Sequence, residues 1–252
     1  MTDKCRRAFL AASPGPGGRV ELDEDESHHV ARVLRLKPGE ALQVFDGRGG
    51  AWAATIHEVL RDRVTVAVGL ELAEHVDPKL RVVVFQALVR PEKIEWVLQK
   101  GTEIGVAGFR LIASDRSEAP PPSPARLARY GRIVMEACKQ SGRRRLPTLS
   151  LGSIESPPGG VVAIALALGA AVPSLGTVLG GPAAPEVWLA VGPEGGFSDG
   201  ELDGLTARGW RAASLGPRVL RTETAGAVAA SIVLHTWGDL GPPSPPRTLS
   251  AG

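Results

Sequence analysis

The feature that most constrains this chain is a change of rhythm near residue 80. Before it, the apolar residues fall in short runs separated by turn-formers. After it, apolar runs of strand length alternate with stretches of helical period. Alternation of that second kind predicts an α/β domain with a mainly parallel sheet, because parallel neighbours need a crossover, usually a helix. The 252 residues suffice for two modest domains. The reading is therefore a small β-rich domain over 1–73, a polar linker over 74–79 around Asp77-Pro78, an α/β domain over 80–240, and a Pro- and Ser-rich disordered tail over 241–252.

In the first part, 19–22, 41–45, 51–56 and 64–68 read as strands. Asp46-Gly47 and Gly49-Gly50 break them in hairpin fashion, and strands at this spacing suggest a small barrel. Ser27 is expected to cap a short helix through Val30, Val33 and Leu34. In the second part, strands are expected at 81–88, 109–113, 161–168, 186–191 and 212–215. A helix over 92–104 should stop at Gly105. Ser123-Pro124 should open another, reaching Gly142 through Leu127, Tyr130, Val134 and Cys138. Ser198 and Glu201 form a capping box for a helix ending at Gly209. A last helix over 222–237, apolar nearly all round, must be buried in the core or in a subunit interface.

Composition excludes several classes. Lys and Arg number 29 against 27 Asp and Glu, so RNA binding would need clustered rather than abundant cations. Cys5 and Cys138 make no disulfide framework, and no signal-peptide core follows the polar N-terminus; a cytoplasmic location is expected. No charge occurs between Glu155 and Glu186, yet eleven Gly or Pro residues interrupt that stretch. Its longest apolar run, 161–168, suits a buried strand and falls short of the ~20 residues of a membrane helix. His28-His29 lacks a Cys or carboxylate partner at ligand spacing, so no metal site is expected. Cys138 falls on the inner helix face, where packing is its expected role.

Ligands of open α/β sheets bind beyond the carboxyl ends of the strands, and two loops there stand out. One is Gly192-Pro193-Glu194-Gly195-Gly196-Phe197, which admits close approach to its backbone or positive φ; a tight strand-to-helix turn explains it equally well. It is neither a P-loop nor a dinucleotide fingerprint. The other, 214–224, carries Arg218, Arg221 and Glu223 into the last helix. A capped helix with a surface ion pair is its plainer reading.

Taken together, Gly192-Pro193-Glu194-Gly195-Gly196-Phe197-Ser198 and Leu215-Gly216-x-Arg218-x-Leu220-Arg221-Thr222-Glu223-Thr224-Ala225 resemble the paired cofactor motifs of the RsmE family. That family comprises 16S ribosomal RNA uridine-N3 methyltransferases of the SPOUT superfamily. The 93–106 segment is similar to the family's Lys…Lys-x-Thr-Glu-Leu-Gly helix. Asp115-Arg116-Ser117 resembles its Glu-Arg-Ser, and Glu136-Ala-Cys-Lys-Gln140-Ser-Gly-Arg143 with Pro147 its Glu-Ala-x-Glu-Gln-x-x-Arg…Pro. Arg7-Ala8-Phe9 and His29-Val30-x-x-Val33-Leu34-Arg35-Leu36 look like its PUA-like domain, so the likeness spans about 6–237. Lys139 departs from it, standing where the family often has Glu.

The resemblance implies a PUA-like β-barrel that binds RNA and a SPOUT domain with a trefoil knot. It implies a homodimer, S-adenosylmethionine as cofactor, and methylation of uridine N3 in the 16S ribosomal RNA of the small ribosomal subunit. Leu168, Val191, Gly192, Pro193, Glu194, Gly195, Gly196, Leu215, Gly216, Arg218, Leu220 and Thr222 would hold the cofactor. Arg221 and Glu223, then Glu194, are the catalytic candidates, with arginine acting electrostatically because it stays protonated. Arg7, Arg32, Arg35, Lys93, Lys100, Arg116, Gln140 and Arg143 would meet RNA, with Arg6, Lys37, Arg144 and Arg145 beside them. For Arg143-Arg144-Arg145 the residues themselves add an argument: three adjacent cations repel unless something neutralises them. A methyltransferase for ribose 2′-hydroxyls or transfer RNA, and an inactive RNA-binding assembly factor, are the alternatives.

Overall fold

The structure, a computed structural model, describes residues 6–240 apart from 16, 62, 74, 75 and 170. Cys5, part of the expected linker and the expected tail over 241–252 lie outside the described residues. The chain divides into two compact units, residues 1–77 with 135–146, and 78–134 with 147–252.

The first unit holds β1 (Arg7–Phe9), β2 (Arg19–Glu21), α1 (Glu24–His28), a π-helical turn over His29–Val33, β3 (Ala41–Phe45), β4 (Ala51–Leu60) and β5 (Arg63–Glu71). The strands pair in the order β1-β3-β4-β5-β2. Only β1 runs parallel to its neighbour, β3; the other ladders are antiparallel. Val64, Val66 and Val68 of β5 alternate inward onto Val44, Ile56 and Leu22, as period-two patterning requires. Both glycine pairs of 46–50 fall in a single connection between β3 and β4.

The expected Ser27 cap is corrected. Asp23 caps α1, its carboxylate accepting from the Glu26 N–H at 2.8 Å. Ser27 is buried within α1 instead; its hydroxyl donates to the Leu22 carbonyl and accepts from the Val64 N–H, both at 3.1 Å. The face expected from Val30, Val33 and Leu34 also fails, because the chain continues with i→i+5 bonding, Leu34 N–H to His29 O. That wider turn rotates Val33 outward, to 63% exposure, and leaves Val30 buried.

The second unit is a six-stranded sheet, parallel throughout, in the order β11-β9-β10-β6-β7-β8. Its strands are β6 (Arg81–Ala87), β7 (Gly108–Ile112), β8 (Thr148–Gly152), β9 (Val161–Leu166), β10 (Glu186–Val191) and β11 (Arg211–Ala213). Its helices are α2 (Pro91–Ile104), α3 (Pro124–Ser141, whose end from Met135 groups with the first unit), α4 (Leu175–Val178), α5 (Asp199–Ala207) and α6 (Thr222–Trp237).

Central β6 and β10 are apolar in nearly continuous runs because helices or side chains cover both faces. On one face, Val84, Val187, Leu189 and Val191 meet Ile94, Val97 and Leu98 of α2 and Ala229, Ala230 and Val233 of α6. On the other, Phe85, Trp188 and Trp210 pack ring against ring above Phe197 and Leu205. Arg90 precedes Pro91 at the start of α2, and Gly105 closes that helix in a left-handed conformation. The 198–201 capping box is formed, and α6 has the expected bounds.

Two strands, β9 and β11, end two residues earlier than expected. The β9–β11 ladder stops at Leu166 opposite Ala213, and one further bond joins Ala167 N–H to Ala213 O. Ala167-Leu168 and Ser214-Leu215 therefore leave the sheet together at its carboxyl end. No helix among the described residues is long and apolar enough to cross a membrane.

Candidate functional site

Beyond Val191 the chain folds back on itself. A Cβ at Gly192 would stand 2.9 Å from the Phe197 nitrogen and 3.0 Å from the Gly196 carbonyl carbon, so only glycine fits there. A turn closed by Gly196 N–H to Pro193 O at 2.9 Å follows, with Gly196 at φ +68°. The loop is held from the β7–α3 segment. Arg116 donates to Gly195 O at 2.6 Å and to Phe197 O at 3.3 Å. Asp115 accepts from the Ser198 hydroxyl at 2.6 Å, and its N–H donates to Glu201 at 3.0 Å.

The second loop, 214–221, enters α6 through Thr222, which is buried. Its hydroxyl donates to Gly192 O at 2.6 Å and accepts from Gln86 Nε2 at 2.9 Å. Gln86, fully buried near the carboxyl end of β6, also donates to Ala87 O at 3.1 Å. One hydrogen-bonded chain thus staples three strand ends together: β6, the loop after β10, and the helix after β11.

Between the two loops lies a cavity of about 290 Å³, close to the lower end of the ~300–1,000 Å³ usual for small-molecule sites. Of the residues expected at the cofactor, Leu168, Val191, Gly192, Pro193, Glu194, Gly195, Gly196, Leu215, Arg218, Leu220 and Thr222 line it. Gly216, at φ +105°, turns the loop beside them. Leu166, Ala167, Asp199, Leu202 and Val219, which sequence reasoning did not place there, also line it, as do Phe197 and Ala225 of the two motifs. The early end of β9 carried the signal for Leu166 and Ala167, but an unbroken apolar run hid it. Arg116, expected at RNA, lines this cavity and fastens its glycine loop.

Of the catalytic candidates, Glu194 lies on the cavity wall, while Arg221 and Glu223 stand at the first turn of α6 outside the lining. Lys93 of α2 joins the two carboxylates: its Nζ is 2.8 Å from Glu194 and 3.7 Å from Glu223. Burial pushes the Glu194 carboxyl up, but the hydrogen bond from Lys93 and a backbone N–H outweigh it and hold it below its ordinary value. The same hydrogen bond raises Lys93. Glu223 Oε2 is buried and accepts no hydrogen bond among the described residues.

Two residues expected at RNA are buried in the first unit. Arg7 is buried, its guanidinium 4.4 Å above the Phe45 ring and donating to the carbonyls of Cys138 and Arg143 at 2.7 and 2.9 Å. Arg143 is buried against Asp77 at 3.0 Å. Arg144, also buried, donates to Leu72 O and, through its backbone, to Asp77. The crowding of three arginines is thus relieved inside the first unit by one carboxylate, leaving Arg145 exposed. Arg32, Arg35, Lys37 and Gln140 are exposed, Arg6 pairs with Glu40, and Lys100 pairs with Glu103. Lys139 is buried between Glu26 and Glu136. Among the described residues no cluster of His, Cys, Asp and Glu could hold a metal ion.

Residues 76–234 match the family model described as an RNA methyltransferase domain, and residues 22–68 the model of an RNA methyltransferase PUA domain. A protein of Mycobacterium tuberculosis named ribosomal RNA small subunit methyltransferase E is 34% identical over 240 residues, covering 89% of each chain. The chain belongs to that methyltransferase family. A Synechocystis protein of the same name is also 34% identical, over 83% of this chain and 71% of its own length. Among solved structures, a Legionella pneumophila protein with bound cofactor SAM superposes at a TM-score of 0.87, with 30% identity, over 94% of this chain and all of that one. The Neisseria gonorrhoeae small subunit methyltransferase E bound to S-adenosyl methionine gives 0.86, with 28% identity, over 93% and 98%. This RNA methyltransferase therefore shares its fold with those two structures over most of its length.

Proposed function

We propose that this chain transfers the methyl group of S-adenosylmethionine to N3 of a uridine in 16S ribosomal RNA of the small subunit. The observation that carries the reading is the cavity between loops 192–197 and 214–222, in a chain whose relatives are small subunit methyltransferases. The fit is chemical. Leu166, Leu168, Leu215 and Leu220 offer apolar surface to an adenine, while the glycine loop offers backbone groups for polar edges. A side chain at Gly196 would project into open space, so a ligand there meets bare backbone.

When bound, S-adenosylmethionine supplies an electrophilic methyl on a sulfonium. The remaining tasks fall to the protein. Uridine N3 must lose its proton and lie in line with that methyl. Glu194, held ionised by Lys93 on the cavity wall, is placed to accept a proton. Arg218 in the lining and Arg221 beside it supply positive charge for the anionic uracil ring. The exposed Arg32, Arg35 and Arg145 of the first unit, which contains the PUA match, would hold phosphates. The same reading gives the second unit a trefoil knot, makes α6 part of a homodimer interface, and places the protein in the cytoplasm.

The test is methyl transfer to small subunits purified from cells lacking this protein, followed by nucleoside mass spectrometry. One new N3-methyluridine is expected. A 2′-O-methylated product or methylated transfer RNA would replace the assignment, and absence of any cofactor binding would overturn the reading.

A further inference from the structure

Lys93, expected at RNA, lies beside two carboxylates of the cleft. Its side chain is about one-quarter exposed, and its ammonium is shared between a carboxylate on the cavity wall and one beside it on the first turn of α6. Glu194 belongs to the glycine loop after β10. Glu223 belongs to the first turn of α6, next to Thr222 of the staple. We propose that Lys93 is a positioning residue, an ionic strut from α2 that fixes the glycine loop against the first turn of α6 and so sets the width of the cofactor cleft. This inference rests on the reading above, since it concerns the same site.

Three observations support it. Among the described residues the hydrogen bond and ion pairs of the Lys93 ammonium go to two side chains, Glu194 and Glu223. Glu223 Oε2 is buried without a hydrogen bond, so the Lys93 ammonium at 3.7 Å is the positive charge that compensates it. And the strut is a second tie between the cleft walls, at different atoms from the Gln86–Thr222–Gly192 chain.

The charges facing Lys93 are Glu194 from the loop and Glu223 and Arg221 from the start of α6; Arg90, at the start of α2, faces Glu194. Without the ammonium, Glu194 loses the hydrogen bond and the charge that hold its carboxyl below its ordinary value, and it takes up its proton at a higher pH. If the ionised form is the active one, activity is then lost sooner as pH falls.

The experiment uses Lys93→Met, Lys93→Arg and Glu194→Gln in the full chain. It reads the S-adenosylmethionine Kd by calorimetry, kcat and KM on small subunits, and the pH profile of kcat/KM. Lys93→Met should raise the cofactor Kd by about tenfold and move the acid limb of the profile up by roughly one pH unit. Lys93→Arg should recover most of both. Adding Glu194→Gln to Lys93→Met should cost less than Glu194→Gln costs alone, because the pair acts as one. If Lys93→Met does not fold, Lys93→Arg and Glu194→Gln still report: the first must hold near wild-type Kd and the second must weaken it. The proposal is overturned if wild type binds and methylates while Lys93→Met changes only the KM for RNA, in a salt-dependent way, with cofactor Kd and pH profile unmoved. A wild-type protein that binds no cofactor overturns the functional reading instead.

Discussion

Replacing Thr222 by valine tests the staple at the centre of the site. Valine keeps the β-branched shape at the first turn of α6 and removes one hydroxyl. That hydroxyl donates to Gly192 O at 2.6 Å and accepts from Gln86 Nε2 at 2.9 Å, at a residue only 4% exposed. Gln86 would keep its bond to Ala87 O, while one of its amide protons and the Gly192 carbonyl lose a partner. A buried polar group left unpaired costs about 1–3 kcal/mol. At roughly 2–4 °C per kcal/mol for a unit of this size, Thr222→Val should lower Tm by about 2–12 °C. The loss falls where the two loops meet, so the cofactor Kd should rise about tenfold, equivalent to ~1.4 kcal/mol. Thr222→Ser, which retains the hydroxyl, should stay near wild type in both. Scanning calorimetry and titration calorimetry read the two quantities. A Thr222→Val protein with wild-type Tm and wild-type Kd would refute the argument that this hydrogen-bonded chain holds the cleft.

Further outcomes follow from neighbouring contacts. Arg116→Ala frees the carbonyls of Gly195 and Phe197, and should weaken cofactor binding about fivefold without changing the salt dependence of RNA binding, read by filter binding across a salt series. Arg143→Ala leaves Asp77 with the backbone N–H groups of Arg144 and Arg145 and should cost about 1–3 kcal/mol in denaturant titrations, whereas Arg145→Ala should leave the midpoint unchanged and weaken RNA binding. Burial pushes the Cys138 thiol up to about 11, so at pH 8 it is protonated as well as enclosed. Peptide mapping after iodoacetamide treatment should find Cys138 unmodified in the native protein and alkylated after unfolding.

Much of the fold could be read from local signals. Thr222 to Trp237 is bounded by an acidic first turn and a following glycine, and Ser198 with Glu201 caps α5 as the spacing requires. The central strands showed themselves as apolar runs. Edge strand β8 did not, because its mostly exposed residues carry no inward pattern. The π-helical turn at 29–33 also escaped, since a change of helical pitch leaves no mark in composition.

At the site, the glycine and leucine loops were legible because backbone geometry selects those residues. Gln86 was not: its partner Thr222 lies 136 positions away, and a single polar residue in a strand gives no hint of such a bond. The burial of Arg7 and Arg143 was hidden for the same reason. Their cationic chemistry suits phosphate, and only the packed structure reveals that Phe45, Asp77 and backbone carbonyls claim them.

A crystal structure with S-adenosylmethionine tests the central claim most directly. One molecule should lie between residues 192–196 and 215–220, with its adenine against Leu166, Leu215 and Leu220 and its methyl facing the side of the cleft that carries Glu194. Density for it at any other place on the chain, or a cleft still empty at saturating cofactor, would contradict the account.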